Sequence, residues 1–167
     1  ANCLVGSEMC IRDRNKDIIS MNFPSRPPKK IYKKELIEEA IGVEVEEFYE
    51  NRDGLAVVAN EEIVTNLSPS MDKISKLDYI GLIVTSRGEN VDFVSRFFAP
   101  QIGVPEDPVT GSAHCELIPL WAEKLNKNKL TAKQLSSREG TLYCEYLNDR
   151  VIIGGEAVTV LSGELII

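Results

Sequence analysis

From Ser112 to Leu125 the chain carries Ala113, Cys115, Leu117, Ile118, Leu120, Trp121, Ala122 and Leu125, apolar residues that cover more than one face of any helix drawn through them. A helix of that kind cannot lie on a surface with one side wet, so the rest of the chain must bury it on several sides. Pro119 falls inside the stretch, at the cost of a backbone hydrogen bond and with a local bend expected. The segments on either side read as strands and turns, and at 167 residues with 43% apolar content there is material for one respectable core. The expected class is α+β: a mostly antiparallel sheet around one buried helix.

Immediately before that helix comes Glu106-Asp107-Pro108-Val109-Thr110-Gly111-Ser112-Ala113-His114-Cys115. Pro108 restrains Asp107 to an extended backbone, so its carboxylate is presented from the loop and not from the helix. Thr110, Gly111 and Ser112 are residue types that let backbone N–H groups converge at a helix N-terminus, where unsatisfied donors and the dipole favour an anion. Asp, Thr and Ser are equally ordinary capping residues, and spacing alone leaves the two readings near even. One detail leans toward a ligand: neither Thr110 nor Ser112 has the Glu or Gln three places on that completes a capping box.

In chain order, residues 1–17 show no recognisable element, and Ser7–Arg14 resembles translated sequencing-adapter sequence. Ile18–Phe23 alternates as a strand, and Pro24-Ser25-Arg26-Pro27-Pro28 reads as a stiff connector at a domain boundary. Lys33–Ile41 reads as a helix stopped by Gly42. Strands are expected at Val43–Tyr49, Leu55–Ala59 and Ile63–Leu67, with Asn51–Gly54 as a hairpin turn. A short helix is expected around Met71, Ile74 and Leu77, then strands at Tyr79–Thr85 and Val91–Phe98. Beyond the buried helix, strands are expected at Leu130–Leu135, Thr141–Leu147, Arg150–Ile153, Ala157–Leu161 and Glu164–Ile167, with Gly154-Gly155 as a turn. His114 reads as a packed, hydrogen-bonded side chain, Trp121 as core, and Cys115 and Cys144 as reduced core thiols.

Charge excludes some functions. A net charge of -7 argues against a nucleic-acid surface. No apolar run reaches membrane-spanning length and no signal-peptide pattern is present, so the expected setting is cytoplasmic. The four cysteines are not in close pairs and there is a single histidine, so no structural metal is expected.

At Phe93–Pro100 and Glu106–Cys115, with further matches at Met21–Pro28, Trp121–Leu125 and Ala157–Leu165, the chain resembles the PhzF (phenazine biosynthesis) family over about Ile18 to Ile167. The resemblance implies a diaminopimelate epimerase-like fold of two related domains, each a sheet rolled around a helix. It makes residues 18–30 the last strand and linker of a first domain that this sequence lacks, and 31–167 the second domain. It also implies a cofactor-independent isomerase that moves a proton on trans-2,3-dihydro-3-hydroxyanthranilate or a similar cyclic amino-carboxylate. On this sequence the implied catalytic residues are Asp107 and Ser112, with Thr110, Gly111, Ser112 and Ala113 holding the substrate.

The family's proton-shuttling glutamate and its Gly-His dipeptide have no counterpart here, since the one histidine is His114. Loss of a proton carrier is expected to cost at least ~10²–10⁴-fold in rate, which would leave the fragment inert on its own. The competing readings are a non-catalytic binding or interaction module and, less favoured, a two-thiol amino-acid epimerase. The latter needs an accessible thiolate where this chain has Thr110, and Cys115 should face the core. Apolar surface left for a first domain makes self-association, such as a homodimer, an expectation.

Overall fold

The computed structural model describes residues 11–15, 18–158 and 160. Its strands form one ten-stranded mixed sheet with few helices. The strands are β1 (Ile11–Asn15), β2 (Ile18–Pro24), β3 (Lys29–Ile31), β4 (Glu47–Glu50), β5 (Gly54–Val57), β6 (Leu82–Arg87), β7 (Phe93–Phe98), β8 (Lys129–Gln134), β9 (Gly140–Leu147) and β10 (Arg150–Glu156). They lie in the order β1-β2-β10-β9-β8-β7-β6-β5-β4-β3. Neighbours are antiparallel except β5 with β6 and β7 with β8, which run parallel. The helices are α1 (Glu35–Ile41), α2 (Glu61–Thr65), α3 (Met71–Ile74) and α4 (Gly111–Leu125).

The middle of the sheet is buried on both faces, and strand alternation divides its side chains between two cores. Leu55, Ile83, Phe93 and Phe97 join one cluster with Leu117, Ile118 and Trp121 of α4 and with Leu130, Leu142, Cys144 and Ile153 from β8 to β10. Ala56, Val84, Val94 and Phe98 point the other way, against Ile37 and Ile41 of α1, Val64 of α2 and Ile74 of α3. Ten residues of α4, from Ala113 to Ala122, are buried, as an all-round apolar helix requires. Trp121 stacks on Phe93 with ring centroids 5.8 Å apart and donates its indole N–H to Thr85 Oγ1 at 3.0 Å.

Several sequence expectations are corrected. Ile63–Leu67 is not a strand: α2 occupies Glu61–Thr65, and Asn60 Oδ1 accepts from the Ile63 N–H at 3.0 Å. The cap, with Glu61 and Glu62 at the positive end of the helix dipole, outweighs the β-branched residues that suggested a strand. Replacing Asn60 with Ala should lower stability by about 1 kcal/mol, read as a shift in the urea midpoint; an unshifted midpoint would mean that the cap contributes nothing.

Gly154-Gly155 is not a turn but part of β10, paired with Ser20 and Ile19 of β2. A Cβ on Gly154 would come within 2.9 Å of Ser20 Oγ, so this glycine answers a close approach of strands. Residues 29–31 form β3 where only a linker was expected, and Ile11–Asn15 pairs with β2 where no element was expected. Val43–Val45 lies outside β4; the Val45 N–H donates to Glu38 Oε1 at 2.9 Å in place of a strand partner.

Of the expected strand Ala157–Leu161 the described residues 157, 158 and 160 form none, and 159 and 161–167, with the expected strand Glu164–Ile167, lie outside the described residues, as do 1–10, 16 and 17. The stop at Gly42 stands as expected: it is left-handed at φ 75 and its N–H donates to Glu38 O. Among the described residues no helix is long and apolar enough to cross a membrane.

Candidate active site

The connection from β7 to β8 carries the loop that the sequence singled out, and four anchors fix it. Arg96 of β7 forms a two-pronged ion pair with Glu106, at 2.7 and 3.0 Å, and donates to the carbonyls of Val64 and Leu67. The Asp107 N–H donates to Phe97 O at 3.0 Å. Gln134, at the end of β8 and fully buried, accepts from the Thr110 N–H at 2.8 Å and donates to Asp107 O at 2.7 Å. Ser136 Oγ adds a bond to Pro108 O at 2.9 Å.

Thr110 is the N-cap of α4, yet its hydroxyl does not cap the helix. It donates instead to Asp107 Oδ2 at 2.5 Å. The opening of α4 therefore keeps its first N–H donors uncapped by a side chain, and Gly111 and Ser112 at this mouth are only partly buried. Among the described residues the Ser112 hydroxyl has no recorded hydrogen bond. The Ala113 side chain is buried, so only its backbone N–H can serve a ligand.

Gly111 and Val109 also line a groove of about 630 Å³ that continues over Ile19, Met21, Tyr143 and Gly154 of β2, β9 and β10. Its floor is apolar, with Met21, Val109 and Tyr143 part-exposed. A larger cavity of about 800 Å³ lies beside the second half of α4, but its Lys30 and Lys124 are both paired with Glu47. Val109 and Gly111 bring the loop and the mouth of α4 to the edge of this groove, while Asp107 reaches the helix mouth through its bond to Thr110.

Burial determines the charge of the other polar groups on α4. His114 is fully buried, which pushes its pKa down to about 4, and its Nδ1 lies 2.7 Å from Thr110 O. A carbonyl only accepts, so the ring is neutral with its proton on Nδ1, a packed residue as expected. Cys115 is buried and burial raises its thiol, which lies 3.6 Å from Gly111 O; it faces the core, away from thiolate chemistry.

Glu116 is fully buried against the β4–β5 hairpin. Burial, and then the charge of Asp53, push its pKa up to about 7, only partly offset by the backbone N–H groups of Asp53 and Arg52 and by Arg26. Asp53 is also raised, chiefly by burial, and neither carboxyl has a hydrogen-bond partner of good geometry.

The sequence pointed to Asp107, Thr110, Gly111, Ser112 and Ala113, and the structure places them together at one helix mouth. It adds Gln134 and the Arg96–Glu106 pair, which sequence reading did not single out. A polar residue in phase with buried Leu130 and Ala132 of β8 was the available signal for Gln134.

Comparison with known proteins places the chain in a family. A model of the PhzC-PhzF family, described as phenazine biosynthesis-like protein, matches residues 10–163. An uncharacterized isomerase of Pseudomonas aeruginosa is 44% identical over 154 residues, covering 92% of this chain and 59% of its own length. A phenazine biosynthesis-like domain-containing protein of Rattus norvegicus is 37% identical over 175 residues, with 91% and 60% covered. The crystal structure of a PhzF-family phenazine biosynthesis protein from Enterococcus faecalis superposes with TM-score 0.87 at 40% identity, over 93% of this chain and 60% of that one.

The chain thus spans about 60% of the length of these relatives. With a family match over nearly all of the sequence, relatives matched over nine-tenths of it and a similar fold in a solved member, the chain belongs to the phenazine biosynthesis-like, PhzC-PhzF family.

Proposed function

We propose that this chain supplies one wall of the active site of a PhzF-type isomerase, and that the opposite wall comes from sequence in the part of its relatives' length that it does not span. In this reading the fold is diaminopimelate epimerase-like, with α4 as the helix at the centre of a rolled sheet. Residues 18–30 are the last strand and linker of a first domain and 31–167 form the second. The observation that carries the reading is the Asp107 carboxylate held against Thr110 at the uncapped mouth of α4, whose first residue, Gly111, lines a largely apolar groove.

The chemistry follows from the parts. A cyclic amino-carboxylate lays its ring on the apolar floor and its carboxylate against the Gly111, Ser112 and Ala113 amides, which point positive partial charge outward. Asp107 accepts from the substrate's amine or hydroxyl and orients it, and the Ser112 hydroxyl adds a second hydrogen bond. The proton shift itself needs an acid/base side chain on the facing wall and draws on no metal or organic cofactor.

The experiment uses the complete protein and trans-2,3-dihydro-3-hydroxyanthranilate as probe. Asp107→Ala should lower kcat/KM by ~10²-fold, the scale of a lost orienting contact, and the 167-residue chain alone should bind weakly without turnover. Undiminished isomerisation by Asp107→Ala removes Asp107 from the mechanism; binding of the probe with no product by the complete protein would favour a binding module instead.

A further inference from the structure

The hydrogen bonds of Gln134 leave it a single orientation. The Thr110 N–H can only donate, so the atom 2.8 Å from it must be the amide oxygen. The Asp107 carbonyl can only accept, so the atom 2.7 Å from it must be the amide nitrogen. The two assignments agree, and no flip of the amide satisfies either contact.

The same nitrogen lies 3.1 Å from Thr110 Oγ1 and presents its second hydrogen there. A hydroxyl has one proton to give. With a donor already directed at its oxygen, the Thr110 proton points at Asp107 Oδ2, 2.5 Å away. Oδ2 is therefore the occupied oxygen of Asp107, the one that accepts from Thr110. Oδ1 makes no bond among the described residues and is the oxygen left for a ligand. All of this happens at a side chain with no exposure, on a strand otherwise facing an apolar core, where an amide has no reason to sit unless its bonds are used.

We propose that Gln134 is a positioning residue: acting through Thr110, it dictates which oxygen of Asp107 faces the substrate and in which plane the carboxylate lies. This rests on Asp107 being the substrate-orienting carboxylate proposed above. Thr110 becomes an intermediary in the relay, its side chain 6% exposed and its hydroxyl fully committed, so a ligand would meet only its neighbours.

The test compares Thr110→Val, Thr110→Ser and Gln134→Glu in the complete protein, with the same probe. Valine keeps the shape and the backbone bond to Gln134 but has no proton for Asp107. A hydrogen bond to a charged group contributes about 1.5–3 kcal/mol, so kcat should fall by roughly 10–100-fold with KM within about threefold. Serine should restore kcat. Glutamate at 134, buried and protonated, can still accept from the Thr110 N–H and give its one hydrogen to the Asp107 carbonyl, which leaves none for Oγ1; the Thr110 hydroxyl is then free to turn away from Asp107, and the kcat loss should match that of Thr110→Val and not add to it in the double variant.

A KM rise or a lowered thermal midpoint with unchanged kcat in Thr110→Val would mean a merely structural contact and overturn the proposal. A severe loss in Asp107→Ala beside normal kcat in Thr110→Val refutes the relay alone; normal kcat in Asp107→Ala refutes the parent reading. Independently of turnover, crystal structures of the complete protein and of Thr110→Val should show the Asp107 carboxylate turned in the variant. An identical rotamer in both would overturn the relay.

Discussion

Glu116→Gln should stabilise the protein at pH 8 by about 3 kcal/mol while leaving it little changed near pH 4.5. The folded-state pKa of about 7 lies above the ordinary glutamate value of 4.5, because the charged form is buried beside Asp53 and only partly offset by nearby backbone N–H groups and Arg26. The folded state therefore holds a proton that the unfolded state has released. Stability falls as pH rises from about 4.5 through about 7 and is level above, where the full cost of a buried charge is present. Glutamine fills the same space and stays neutral throughout.

For a domain of this size that difference amounts to roughly 5–10 °C in thermal midpoint at pH 8. His114 has the opposite sign. Its folded-state pKa of about 4 lies below the usual 6.5, so the stability from keeping it neutral is lost as pH falls from 6.5 to about 4. Removing the Glu116 titration should therefore leave a profile that rises with pH across that acid window. Melting curves from pH 4 to 8 check both statements, and an unaltered slope in Glu116→Gln would show that the carboxyl finds a partner in solution.

Trp121→Ala should cost about 3–5 kcal/mol, the range for deleting a large aromatic side chain from a core. The indole is 4% exposed, lies parallel to the Phe93 ring and donates to Thr85 Oγ1, whose own proton goes to Val94 O at 2.6 Å. Its loss opens a void between α4 and the centre of the sheet and takes away one partner of a buried hydroxyl. Trp121→Phe keeps most of the stack and should cost about 1–2 kcal/mol. Equal effects of the two variants on the urea midpoint would mean that the site collapses around the missing ring.

Much of the framework was legible because local signals and tertiary burial agreed. The apolar residues of α4 and the glycine stop of α1 each had a single physical solution. Where the two conflicted, sequence misled. Ile63, Val64 and Thr65 favour extended backbone, but the cap at Asn60 and the need to bury only Val64 are met by one helical turn. Gly154 reads as a turn residue in sequence because a missing Cβ serves chain reversal and close strand approach alike, and only three dimensions tell them apart.

At the site, Asp107 and the helix mouth were readable because proline and the Thr-Gly-Ser run constrain the backbone nearby. Gln134 was not, because its partners lie 24 and 27 residues away in sequence.

The parallel pairing of β7 with β8 has a consequence for how this molecule acquires its shape. Strands running the same way need a crossover, and here the crossover is the Asp107 loop followed by α4. The strands cannot zip until the helix has swung back across the sheet, so closure entropy delays that step relative to the hairpins at either end. The loop that holds Asp107 and the mouth of α4 is thus fixed in place in the same event that joins the two halves of the sheet.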